Sequence, residues 1–191
     1  MWNPFLIGRK RIIEILNEAH KRYGRKAYIY LLFKRIARNK RLTNYAFKLG
    51  LCAAYWINGA YQGQDAKKYF KRFKRPFLWC KEQRKAFAEL PANITLYRGV
   101  GMDEVVEAGW GDDGVTITHP SKFAISWTPR IEQARKFAQS PYKIGRILQT
   151  TINKERIKTF YWYGDNQECV VVLDDADKVI ILDEVFPMSF M

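Results

Sequence analysis

At Pro91 the periodicity of this chain changes. Before it, apolar residues return every three or four positions; after it, they alternate one by one. The first spacing belongs to helices packed on one face, the second to half-buried strands. A chain that holds the two in separate blocks is expected to be α+β, with a helical part packed on a sheet rather than helices interleaved with strands. In the helical block, Ile12, Ile13, Ile15, Leu16 and Ala19 run into Lys21, Arg22 and a stopping Gly24. Ala27, Ile29, Tyr30, Leu31, Phe33, Ile36 and Ala37 mark a second helix, and a third starts at Thr43, a good N-cap, and closes on Asn58-Gly59. Two short helices follow over residues 64–74 and 80–89, the first ended by Pro76.

Charge follows the same division. Residues 1–90 hold 22 Lys and Arg against 5 Asp and Glu, whereas residues 91–191 hold 11 against 14, so the total of +14 comes from the first block. A basic surface of this kind attracts nucleic acid, acidic proteins or anionic lipid, or stays simply well solvated. In residues 64–74, cations surround Tyr69, Phe70 and Phe73. That interleaving suits a phosphate backbone with stackable bases, but aromatics at helical spacing more often pack beneath their own helix.

The length of 191 residues fits one domain over residues 1–191, with 1–90 as its basic helical part and 91–191 as its sheet part. Three cysteines cannot close a disulfide framework and have no metal-ligand spacing, which suits a reducing compartment. The apolar opening precedes its basic residues, the reverse of a signal peptide, and no apolar run is long enough to span a membrane. A cytoplasmic protein is the expectation. His20 and His119 have no partner at ligand spacing, and no metal site is predicted.

In the alternating block, Ile94, Leu96 and Val100 share one strand face, and strict alternation puts Arg98 on it. A buried arginine is either paired with a carboxylate or kept for a ligand. Gly109, Gly111 and Gly114 mark a loop whose spacing is not that of a phosphate-binding signature. A strand over residues 123–127 leads to Thr128-Pro129, which opens a helix with Ile131, Ala134, Phe137 and Ala138 on its apolar side. A strand is expected over residues 144–152. The aromatic run Phe160 to Tyr163 then reaches a turn at Gly164-Asp165-Asn166, and Glu168 heads the β-branched run that follows. A glutamate where a strand leaves a loop is either catalytic or a solvated gatekeeper. The acidic turn Asp174, Asp175, Asp177 precedes a last strand over residues 179–185.

Taken in order, Tyr97-Arg98-Gly99, Ser126-Trp127-Thr128 and Glu168 resemble the three motifs of the arginine-serine-glutamate class of mono-ADP-ribosyltransferases. The likeness extends over about residues 42–185, because the segment Tyr45 to Asn58 resembles the helix that precedes the family's first motif. Small phage-encoded members are similar in size and in the Gln167-Glu168 pair. What the resemblance implies is a split β-sandwich of mixed or antiparallel strands preceded by a basic helical half, with NAD as substrate in a cleft between two small sheets. It implies Glu168 as the catalytic carboxylate that stabilises an oxocarbenium ion, with Ser126 fixing its rotamer. Arg98 would take the NAD phosphates, with Gly99, Tyr97, Thr128 and Phe137 beside the dinucleotide, and Asn166, Gln167 and Tyr163 would meet the acceptor. One position departs from the pattern. Two residues before the catalytic glutamate the family carries Glu or Gln, and here stands Asn166, which can orient an acceptor but cannot deprotonate it. The acceptor is thus left open, with a protein, a nucleic acid or a nucleic-acid-bound protein expected and a small molecule as a further alternative, and nucleic-acid contact is expected through residues 9–75. Two other readings stand beside the transferase: a basic nucleic-acid-binding protein with no activity, and a transferase fold with a decayed site that only binds.

Overall fold

The computed structural model describes residues 48, 51–52, 64–78, 80–139, 145–163 and 166–185. The chain gathers into two compact units, Met1–Phe73 and Lys74–Met191. The helices expected over residues 12–38 lie outside the described residues, as does His20. Of the helix expected from Thr43, residues 48, 51 and 52 are described and are helical.

In the first unit, helix α1 (Gln64–Phe70) carries Phe70 into the interior, and Phe73 follows it there. Their rings stand 5.3 Å apart and tilted, and the Lys48 ammonium lies 5.2 Å from the centre of the Phe73 ring. Both phenylalanines are fully buried with Leu51 and Cys52. They pack beneath their own helix, the commoner fate of such aromatics, and do not stand out as stacking platforms.

The second unit is mixed α+β, with two small antiparallel sheets. Strands β1 (Asn93–Gly101), β3 (Gly145–Asn153) and β6 (Val179–Val185) form the first, in the order β1-β3-β6. Strands β2 (Ser126–Trp127), β4 (Thr159–Tyr163) and β5 (Asn166–Val170) form the second, in the order β2-β5-β4. Ile94, Leu96 and Val100 of β1, Leu148 and Ile152 of β3, and Val179 of β6 meet Trp127, Phe160 and Cys169 of the second sheet in one hydrophobic cluster. The alternation along β1 that predicts a strand therefore also says which side faces the core. Helix α2 (Lys81–Ala88) belongs to this unit: Cys80 caps it by accepting the Gln83 N–H, and Phe87 packs 6.2 Å from Phe160, centre to centre.

Helix α3 (Met102–Ala108) follows β1 at once and buries Val105 and Ala108. The sequence pattern does not announce it, because only one short apolar pair interrupts its acids. Helix α4 (Ile131–Ala138) lies on the other face of the first sheet, with Ala134 and Ala138 against Ile147 and Tyr97. It can approach so closely because Gly99 and Gly145 have no side chains. A Cβ at Gly99 would stand 2.0 Å from the Ala134 carbonyl oxygen, and one at Gly145 would stand 2.1 Å from that of Ala138.

Three expected boundaries move. The strand foreseen over residues 123–127 is reduced to Ser126–Trp127, because Pro120–Lys122 forms a 3-10 turn and leaves Phe123 as a buried loop residue against Trp127. The helix foreseen from Thr128-Pro129 starts at Ile131. Thr128 is held instead by the backbone of β1, and its hydroxyl accepts the Arg130 N–H at 3.2 Å. Asn166, foreseen in a turn, is the first residue of β5. Among the described residues, no helix is long and apolar enough to cross a membrane.

Candidate active site

The two sheets are joined by a rung of main chain. Tyr97 N–H donates to the Thr128 carbonyl at 2.7 Å, and Thr128 N–H returns the bond to Tyr97 at 2.9 Å. This pairing brings Arg98, the next residue on β1, beside β2. Alternation sends Arg98 to the core side, and its side chain is only 10% exposed. One terminal guanidinium nitrogen, Nη1, donates to the Ser126 carbonyl at 2.9 Å. The other, Nη2, donates to Glu104 Oε2, also at 2.9 Å. Glu104 comes from the first turn of α3, only six residues along, and its side chain is 40% exposed.

The second sheet supplies the rest. Ser126 pairs with Val170 across β2 and β5, so Glu168, two residues from Val170, is a diagonal neighbour on the same face. Across that diagonal the Ser126 hydroxyl donates to Glu168 Oε1 at 2.7 Å. The intervening residues point the other way: Trp127 and Cys169, paired in register, enter the core. Four residues thus run in series, Glu104 to Arg98 to Ser126 to Glu168, with the link at Ser126 passing from its main-chain carbonyl to its hydroxyl, and they join α3, β1, β2 and β5. Arg98, Ser126 and Glu168 are far apart in sequence, and the fold brings all three together.

The arrangement fixes what each group can do. The Ser126 hydroxyl donates a hydrogen bond to a carboxylate, which holds that carboxylate in one orientation. Arg98 fixes the main chain of Ser126 from behind. Burial, and then the nearby Glu168 charge, push the Cys169 thiol up, so it stays a protonated core residue and not a nucleophile. Glu168 is half-buried, and a carboxylate held in one orientation is suited to stabilising positive charge next to it.

The other expected site residues divide. Tyr97 is half-buried against Ala134 and Ile147, Thr128 is buried at the rung, and Gly99 has the α4 backbone across its Cα. These three frame the site. Phe137 is 68% exposed near the end of α4. Alternation along β5 puts Gln167 on the Cys169 face, away from Glu168. Asn166 and Tyr163 are register partners where β4 ends and β5 begins, and their side chains lie outside the described part of the structure. Sequence reasoning missed Glu104, although the need of a buried arginine for a carboxylate was its signal. Among the described residues, no group of three or more His, Cys, Asp or Glu could hold a metal ion. No protein-family model matches the chain, and neither a curated protein nor a solved structure gives a match.

Proposed function

We propose that the protein is an NAD-dependent mono-ADP-ribosyltransferase that releases nicotinamide from NAD and passes ADP-ribose to a macromolecular acceptor. The observation that carries this reading is the 2.7 Å hydrogen bond from Ser126 to Glu168, with Arg98 bonded to the Ser126 carbonyl behind it. The arginine, serine and glutamate that the resemblance selects on sequence are three links of one hydrogen-bonded chain. Two antiparallel sheets that feed a single core also suit the split β-sandwich of that class.

In this chemistry the bond between the ribose C1′ and the nicotinamide nitrogen breaks, its electron pair leaves with nicotinamide, and positive charge grows on the ribose. A fixed carboxylate stabilises that charge as it develops. Glu168 fills this role, and Ser126 keeps it from turning away. An acceptor nucleophile then attacks C1′, forming the new bond to the ribose, and loses its proton to solvent.

The competing reading, a nucleic-acid binder without turnover, draws on charge. Residues 1–73 carry 17 Lys and Arg against 3 Asp and Glu, and residues 74–191 carry 16 against 16, so the entire +14 belongs to the first unit. A basic unit carried on the same chain as an electrically neutral one also suits a transferase whose acceptor is a nucleic acid or is bound to one. Nicotinamide release separates the readings. The wild type is expected to release nicotinamide from NAD in the presence of cell extract, and Glu168→Ala to do so slower by about a hundredfold or more, with its circular dichroism unchanged. No release by the wild type favours the binder; equal release by Glu168→Ala removes Glu168 from the reaction.

A further inference from the structure

The geometry points to Glu104 as a counter-ion that the ligand's phosphates displace from Arg98. This inference rests on the transferase reading and extends it, by stating what holds the phosphate-binding edge before the ligand arrives. Arg98 is nine-tenths buried, and its two terminal nitrogens are tied in different ways. Nη1 bonds the Ser126 carbonyl, a main-chain group that the ladder with Val170 holds in place. Nη2 bonds Glu104, a flexible side chain with 40% of its surface in water. Of these two partners, Glu104 is the one that can leave without disturbing a strand's main chain.

Both candidates for that nitrogen are oxyanions. A phosphate oxygen accepts from a guanidinium in the same way as a carboxylate oxygen does, and two anions on one edge repel each other. The dinucleotide therefore enters by exchange. Glu104, the more exposed partner, turns out into solvent, and the phosphate oxygen that takes its place on Nη2 keeps the buried guanidinium paired. Nη1 keeps its hold on Ser126 throughout, so the Ser126 to Glu168 bond is undisturbed. Glu104 acts as a threshold: a ligand must bring phosphate charge to open the site, and a neutral nucleoside cannot.

The test uses ADP-ribose, which carries both phosphates and has no nicotinamide bond to cleave, with adenosine as the uncharged comparison. Glu104→Gln keeps an acceptor oxygen for Arg98 and removes only the charge; Glu104→Ala, a change at a half-exposed site, serves as a second variant. Calorimetric titration of the full chain is expected to show ADP-ribose binding about tenfold tighter in Glu104→Gln than in wild type, the scale of one nearby like charge removed. Adenosine affinity is expected to be the same in both proteins. Equal or weaker ADP-ribose binding in both variants overturns the exchange, and so does an equal gain for adenosine. If the wild type cleaves NAD and these results fail, only this inference falls; if the wild type neither cleaves NAD nor binds ADP-ribose, the transferase reading falls and takes it along.

Discussion

Arg98 shows how far a single residue can be read from its neighbours. Alternation with Ile94, Leu96 and Val100 places it on the core face, and burial then demands a partner. The identity of that partner is not legible. Glu104 looks like any acid in a first helical turn, where it also complements the helix dipole. The bond between Ser126 and Glu168 spans 42 residues, and only the motif order suggests it. A second ion pair with one buried partner, Arg156 with Asp177, escaped sequence reading for the same reason: the turn Asp174, Asp175, Asp177 reads as solvated acid. Asp177 is in fact 8% exposed, bonded to both terminal nitrogens of Arg156, and it accepts the Asp174 N–H at 2.8 Å. Burial pushes the Asp177 carboxyl up, but the bonds from Arg156 and Asp174 outweigh it and hold it below the usual range. A lowered carboxyl contributes stability that is present above its unfolded pKa and is lost as pH falls through the folded value. Asp177→Asn is therefore expected to cost about 1–3 kcal/mol in urea melts at neutral pH, with the gap to wild type closing below about pH 4.

Among the elements, the longer strands are legible and the short pieces are not. β1, β3 and β6 run seven residues or more, and the expected bounds of β3 and β6 hold within a residue. β2 has two residues, too few for any period, and α3 has a single buried pair. Thr128-Pro129 is a strong local signal for a helix start, and it is overruled because tertiary pairing claims the Thr128 backbone first. The contact of α4 with the first sheet depends on two glycines that no periodicity marks. Gly99→Ala or Gly145→Ala would drive a methyl group into the α4 backbone, which cannot give as a flexible side chain can. Each is expected to lower unfolding stability by about 2–4 kcal/mol, read from the denaturation midpoint at constant slope. A loss below half a kcal/mol would mean that α4 is free to lift from the sheet.

For the molecule as a whole, the basic excess was legible from the first, but its sharp confinement to Met1–Phe73 was not, because composition alone does not mark where a compact unit ends. A chain with this charge is expected to bind single-stranded RNA or DNA through phosphates, with affinity falling on the order of a thousandfold between about 50 and 200 mM salt as counterions are released. Filter binding across that range checks it, and a flat response would mean that the first unit does not engage nucleic acid through charge. The site itself is framed differently. The rung between Tyr97 and Thr128 is made of peptide groups, and what it requires of either position is an N–H and a carbonyl. Any residue but proline can supply those. The spacing of Arg98 from Ser126 can therefore be inherited while the letters at positions 97 and 128 drift, and descendants of one ancestor would share this arrangement long after their sequences stopped looking alike.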